Sequence, residues 1–240
     1  MTLQILAVEV GSTAHGTGLP GYEDRDEMVI RVESAREVLG LRSAPKSVME
    51  RTAAEGQPSG PDDTDRMIYT LRHFLRLATK GNPSVLLALW APIIETTPLG
   101  DELRSLRPHF VGRHLIGPYR GYMQAQVERL KGIRGGRHGR FRDDQAGYDT
   151  KYAMHAARLG FQCLELLTTR ELRLPIEVGG DWLRAVRRGE VPLAVWEAKV
   201  AELDASLVAL AEHDDIPVGP DLDVIEAWSI DAHRRVWDQG

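Results

Sequence analysis

Residues Leu3 to Val10 read LQILAVEV, an apolar run closed by Gly11, and a second apolar run opens at Asp26 and continues to Val32 as DEMVIRV. Short β-rich runs bounded by glycine are strand candidates. In a strand, residues two apart project from the same face, so Asp24 and Asp26 point together at the head of the second run. Met28, Ile30 and Val32 continue that face. Two carboxylates held close repel each other unless a cation sits between them. A hard divalent ion such as Mg²⁺ prefers carboxylate and phosphate oxygen and keeps water at its other positions. Gly11 lets the backbone come close to a ligand, and Ser12 offers a hydroxyl and an amide N–H. Amides exposed at the turn after a strand suit phosphate oxygens. Gly-Ser, a short spacer and Asp-x-Asp thus describe a phosphate cradle facing a metal site. Each half alone has an ordinary explanation, a surface strand end for the acids and a strand stop for the glycine.

The rest of the chain narrows the class. With 240 residues it is long enough for one large domain or two small ones. Its longest apolar run, VLLALWAPII, is too short to span a bilayer. No basic segment with a following apolar stretch opens the sequence, which argues against secretion. Cys163 has no second cysteine to pair with and lies in an apolar helical stretch, so it reads as a small buried hydrophobe. A reducing cytoplasm fits these features. Charge is uneven along the chain. From Asp101 to Arg142 there are ten Lys/Arg against three Asp/Glu, and from Glu190 to Gly240 three against twelve. Such asymmetry can draw a polyanion to one end, or simply mark two solvated surfaces of opposite sign.

Element signals place a small sheet in the first half and helices in the second. Residues 42–63 read as a connector rich in Pro, Gly, Ser and charge. Met67, Leu71, Phe74, Leu75 and Ala78 have helical spacing, which predicts a helix from about Arg66 to Lys80. Residues 84–92 are a buried segment of undetermined type. Helices are expected over 101–107, 115–132, 149–168, 180–188, 193–213 and 222–237. The glycine-rich basic stretch near 131–147 has little to bury and is expected to be mobile. It carries Lys131, Arg134, Arg137, Arg140 and Arg142, so it could track a nucleic-acid backbone, close over a triphosphate, or serve neither purpose. The expected fold class is α+β, with a catalytic core over residues 1–100 and a helical region over 101–240.

The stretch GSTAHGTGLPGYEDRD resembles the signature of the DNA polymerase β-like nucleotidyltransferase superfamily, in which Gly-Ser precedes an Asp-x-Asp pair. More narrowly it resembles a bacterial and phage branch labelled only "predicted nucleotidyltransferase". Glu23 stands where that branch has a serine, and His15 where it has an aromatic residue. TLRHFLRLATKGNPSVLLALWAPII and GYDTKYAMHAARLGFQCLELLTT are similar to two further segments of the same branch. The resemblance implies a third carboxylate on a neighbouring strand, and counting back from LRHFLRLATKGNP puts it at Asp65. Asp62 and Asp63 stand nearby, and an aspartate just before a helix is also a favoured N-cap. Lys151, His155 and Arg158 are spaced i, i+4, i+7 and share a helix face. Alone, that face reads as solvated; the resemblance implies that it faces a nucleotide, with Lys151 or Arg158 neutralising triphosphate charge. Met154, Ala157, Phe161 and Leu164 form the stripe expected to be core.

Together these readings lead to a metal-dependent nucleotidyltransferase that moves a nucleoside monophosphate from an NTP to a hydroxyl acceptor and releases pyrophosphate. Asp24, Asp26 and Asp65 are the expected ligands of Mg²⁺ or Mn²⁺, with two ions in all, and Gly11 and Ser12 the holders of the β- and γ-phosphates. The acceptor could be a protein, an RNA or a small molecule; the 131–142 loop offers a route to nucleic acid, and no membrane partner is expected. A non-catalytic nucleotide- or RNA-binding module on the same fold and a two-metal phosphodiesterase are the alternatives.

Overall fold

The computed structural model describes residues 2–18, 25–42, 44–53, 63–133, 142–143 and 146–239. Asp24, Asp62 and most of the basic glycine-rich loop lie outside them. The fold is α+β. Its main sheet comprises β1 (Leu3–Val10), β2 (Arg25–Val32), β3 (Ser47–Arg51), β4 (Thr64–Thr70) and β5 (Ile93–Thr96), in the order β3-β4-β2-β1-β5. β1 runs antiparallel to both β2 and β5, and β3 antiparallel to β4, whereas β2 and β4 run parallel.

Helices α1 (Gly11–His15), α2 (Ala35–Leu39), α3 (Leu71–Ala78), α4 (Pro83–Leu86) and α5 (Pro98–Ser105) connect or follow these strands. Further on come α6 (Ile116–Leu130), the two-residue strands β6 (Arg142–Asp143) and β7 (Tyr148–Asp149), α7 (Thr150–Thr169), α8 (Gly180–Arg187), α9 (Leu193–Leu210) and α10 (Leu222–Trp237). No helix among the described residues is long and apolar enough to cross a membrane.

The chain divides into two compact units. The first holds Met1–Lys80, Ser84–Phe110 and Pro220–Gly240; the second holds Gly81–Pro83 and Val111–Gly219. In the first, β1 and β2 are buried on both faces, as befits central strands: Ile5, Leu6, Val8, Ile30 and Val32 have no exposed surface. Leu71, Phe74 and Ala78 of α3 complete this core, and residues 84–92, whose type the apolar run left open, hold the end of α4 and a 3₁₀ turn at Leu87–Leu89, with 85–91 buried but Ser84 exposed and Pro92 half-buried. In the second unit α7 is the central helix, packed against α6, α8 and α9. Tyr119 and Trp196 are buried there, and the Trp196 indole N–H donates to the Ala153 carbonyl at 2.9 Å. Cys163 is fully buried, and burial pushes its thiol pKa up.

Two segments differ from the sequence expectation. Residues 66–70 are strand, not the first turns of a helix. Met67 lies four residues before Leu71, so the strand's last inward residues extend the helix pattern by coincidence. The Thr, Ile and Tyr content of TDRMIYT favours a pleated strand, and pairing to β2 along seven positions decides it. Residues 47–51, read as connector, form the edge strand β3, with every residue exposed. An edge strand without a buried face has no apolar alternation to betray it. On α7, Met154 and Ala157 are buried as expected, but Phe161 and Leu164 are half-buried; Phe161 packs edge-on against Trp182, 6.0 Å between ring centroids.

Residues 220–240 pack with the sheet, although the sequence grouped them with the helical half. Asp221 caps α10 by accepting from the Val224 amide at 3.2 Å. The helix is then tied down at two carboxylates. Glu102 of α5 accepts from the Trp228 indole N–H and from Arg235, each at 2.9 Å. Glu33, just after β2, lies 3.2 Å from His233 Nε2, both side chains 7% exposed, and its carbonyl accepts from the Trp237 indole N–H at 2.8 Å. His233 Nδ1 lies 2.7 Å from the Ser229 carbonyl, so both ring nitrogens face acceptors.

Burial alone opposes ionisation of Glu33. The His233 hydrogen bond, its backbone contact and the Thr70 hydroxyl outweigh that effect and leave its pKa below the ordinary value. A depressed carboxylate pKa stabilises the fold above the unfolded-state value of 4.5 and loses that contribution as pH falls through the folded-state value. Glu33→Gln is therefore expected to lower unfolding stability by about 2–3 kcal/mol at neutral pH. In urea titrations the gap between variant and parent should close as pH drops below 4.5.

Candidate functional site

The parallel pairing of β2 and β4 places Asp26 directly opposite Asp65. Partner residues in adjacent strands point to the same face, with backbones about 4.8 Å apart. Val10 pairs with Asp26 on the other side, so the end of β1 adjoins the same carboxylate. The chain then turns at Gly11 with φ +77°, a left-handed conformation that side-chain-bearing residues avoid. A β-carbon there would lie 2.1 Å from Asp26 Oδ2. Gly11 is thus required twice, by its backbone angle and by contact with the carboxylate.

Ser12 follows, half-buried, in the single turn of α1. The amides of a first helical turn find no acceptors inside their own helix. Gly16 closes the turn with φ 65°, its N–H directed at the Ser12 and Thr13 carbonyls, and the Thr17 amide also donates to Ser12 at 3.0 Å. His15 is buried, so it belongs to the packing beneath the turn. The structure thus brings Gly11, Ser12, Asp26 and Asp65 to one end of the sheet. Asp24, two residues before Asp26, is outside the described residues. Asp63 immediately precedes β4, and its Oδ1 accepts from the Thr52 hydroxyl at 3.0 Å.

Asp65 lies within β4, and the N-cap of α3 is Thr70, which resolves the choice between strand-borne acid and helix cap in favour of the strand. Its Oδ1 accepts from Arg51 Nε at 2.9 Å, a bond that raises the Arg51 pKa. Arg51 is exposed and comes from the edge strand, paired opposite Asp65.

On the reverse face of the same strand ends stands a group that the sequence reading missed. Glu27 is 4% exposed and accepts from Arg66 Nε at 2.9 Å; Arg25 Nε lies 3.1 Å away. Arg66 is the in-register partner of Glu27, as Asp65 is of Asp26. This ion pair therefore clamps the β2–β4 register one residue from the two aspartates. A one-residue slip would turn every side chain to the opposite face. The only trace in sequence is that an acid follows Asp26 and a base follows Asp65, and without the strand pairing nothing links them.

In the second unit, Asp149 caps α7 by accepting from the Lys151 and Tyr152 amides at 3.0 and 3.1 Å. Lys151, His155 and Arg158 share one half-buried face, as their spacing predicts. His155 has its pKa well below the ordinary value, first because of burial and then because Arg158, Lys151, Arg187 and Arg129 surround it. Burial also pushes the Arg158 pKa down to about 10. Its Nε is shielded from solvent and has no hydrogen-bond partner among the described residues. Arg187, 9% exposed, donates to the Thr150 hydroxyl at 3.0 Å. A cluster with this excess of positive charge is receptive to an anion.

Residues 3–199 match the RNA repair pathway DNA polymerase beta family, RlaP. The fold and the matched span define a member of the nucleotidyltransferase superfamily, and the chain belongs to this RNA repair pathway family. Among solved structures it is similar to a nucleotidyltransferase-like protein from Exiguobacterium sibiricum 255-15, at 8% identity and a TM-score of 0.33, over 87% of this chain and 69% of that one. No curated protein matches it.

Gly11→Ala is expected to destabilise the first unit by about 2 kcal/mol or more, from the left-handed backbone and from overlap with Asp26. Thermal unfolding of parent and variant checks this. A stability change within error would mean that the turn relaxes away from Asp26.

Proposed function

We propose that this chain transfers a nucleoside monophosphate from an NTP to the terminal hydroxyl of an RNA, releasing pyrophosphate. The observation that carries the reading is the in-register pairing of Asp26 with Asp65 against the Gly11 turn. It sets two acids beside amides suited to phosphate oxygens. The family description, RNA repair, supports RNA among the hydroxyl acceptors.

The donor set fits a hard divalent cation, since Asp26, Asp65 and, by sequence, Asp24 offer carboxylate oxygens only. Mg²⁺ or Mn²⁺, in one or two ions, would be held by these three. When bound it would offset phosphate charge and ease deprotonation of the attacking hydroxyl. Asp65 receives the hydrogen bond of that hydroxyl and orients its oxygen toward the α-phosphorus. The new P–O bond forms as the bond to the β-phosphate oxygen breaks. The proton leaves through Asp65 to water, and pyrophosphate carries away the displaced charge. Ser12 and the Gly11 turn hold the terminal phosphates by N–H and O–H donation. In the second unit, Lys151 and Arg158 supply positive charge suited to an anion, while His155, its pKa held well below the ordinary value, adds none. Arg51 holds the Asp65 carboxylate until substrate arrives. Positioning and charge compensation, rather than covalent chemistry, provide the rate.

Purified protein incubated with each α-³²P NTP, Mg²⁺ or Mn²⁺, and RNA bearing a free 3′-hydroxyl is expected to label the RNA. Asp26→Asn and Asp65→Asn should each cut labelling by about 10³-fold or more while the chain still folds. Arg158→Ala should raise the KM for NTP more than it lowers kcat. NTP binding without labelling, unchanged in both aspartate variants, would establish a non-catalytic module instead. RNA cleavage without added NTP would establish a phosphodiesterase.

A further inference from the structure

At the other end of the sheet from the aspartates, the first unit contains a cavity of about 360 Å³ lined by Arg42, Lys46, Arg72, His73 and Arg76, with Glu33 and Glu37 at its wall. Asp26 and Glu33 are seven residues apart on and just beyond one strand, roughly 23 Å at about 3.3 Å per residue. The cavity is thus separate from the proposed transfer site.

Its charges do not cancel. Glu37 is held by Arg31, with N–O distances of 2.8 and 3.2 Å, and completes the α2 capping box with Ser34. Glu33 is committed to His233 and to the Arg72 backbone amide, the latter at 3.4 Å. Arg42, Lys46, Arg72 and Arg76 form no ion pair among the described residues, and all four are exposed. They come from the segment after α2, the approach to β3, and α3, so their charges ring an open mouth. His73 sits among them. Its pKa is lowered first by burial and then by Lys46 and Arg76, with only Glu33 opposing. Its ring lies 5.9 Å from that of Tyr69, tilted by 34°. Leu41, fully exposed, adds an apolar side chain at the rim.

From this arrangement we infer that the Arg42–Lys46–Arg72–Arg76 cavity is a docking site for the phosphodiester backbone of single-stranded RNA. Several separated cations suit successive phosphates better than one enclosed anion. A supported imidazole and an exposed leucine offer flat and apolar surface to an unstacked base, which a phosphate alone would not use. The choice of RNA among polyanions rests on the acceptor class proposed above; the anion site itself does not depend on transfer. A strand held here would be gripped at a second point, away from the reacting end.

The test uses the full chain and a 5′-fluorescein oligouridylate 12-mer, followed by fluorescence anisotropy over a range of KCl concentrations. Arg72→Glu/Arg76→Glu is expected to weaken binding at least tenfold. Arg72→Gln/Arg76→Gln, which avoids new repulsion, should reduce the slope of log K against log salt by about 1.4, the value for two lost phosphate contacts at about 0.7 each. A paired control, Arg170→Glu/Arg188→Glu, makes the same charge change on exposed residues of the second unit and should leave most of the affinity. Circular dichroism and thermal unfolding confirm that each variant is folded. Equal effects of pocket and control variants would overturn the proposal. So would absence of RNA binding by the parent, or binding of the 12-mer no tighter than inorganic phosphate in competition. Asp26→Asn should retain the 12-mer affinity, so loss of transfer and loss of docking are read separately.

Discussion

The parallel pairing of β2 with β4 is the constraint on which the candidate site depends. Asp26 and Asp65 are 39 positions apart in the chain and become neighbours only through that ladder. Parallel strands cannot be joined by a tight hairpin, so their register is set by side chains and packing rather than by a turn. Here it is set on both faces. Met28 pairs with Met67 beneath the acids, and on the reverse face the buried Glu27 is held by Arg66. The Arg66 side chain reaches a carboxylate that is almost fully removed from water, where an unpaired charge is costly. A shifted register would strand that carboxylate and separate the aspartates at the same time. Stability and site geometry therefore share one interaction.

The two ends of the sheet are electrostatically unlike. The end carrying Asp26, Asp65 and the Gly11 turn gathers two carboxylates, one of them bonded to Arg51. The opposite end gathers arginines and a lysine around a cavity whose two acids already have partners. Glu33 stands at the junction. It holds α10 through His233, accepts from the start of α3, and faces the cavity. Residues 220–240 thus contribute to the surroundings of the basic cavity from the far end of the sequence. In the second unit the positive charge is built differently: Arg158, its pKa lowered by burial, stands with Lys151, Arg187 and Arg129 around His155, whose own pKa is held well below the ordinary value.

Legibility in the sequence followed the range of the interactions. β1 and β2 were readable because both are short apolar runs ended by polar or glycine residues. The helices from 149 onward were readable because their apolar faces repeat locally and their caps are adjacent: Asp149 and Asp221 precede α7 and α10 directly. Strand β4 was hidden because Met67 happens to extend the spacing of Leu71, Phe74 and Ala78. Strand β3 was hidden because an exposed edge has no buried side to mark it. Glu27–Arg66 and Glu33–His233 were hidden for a different reason. Their members lie 39 and 200 positions apart, and single charged residues carry no sign of their partner.

The sequence by itself determined that a strand ends at Gly11-Ser12, that a second strand runs through Asp26 to Val32, and that Lys151, His155 and Arg158 share one helix face. Each of these follows from local geometry, the two-residue period of a strand or the 3.6-residue period of a helix. Only the tertiary structure decided that Asp65 belongs to a strand and stands opposite Asp26, that Gly11 is pressed against that carboxylate, and that the last helix packs with the sheet. Those facts depend on which distant segments exchange hydrogen bonds and exclude water together, and no local pattern encodes that choice.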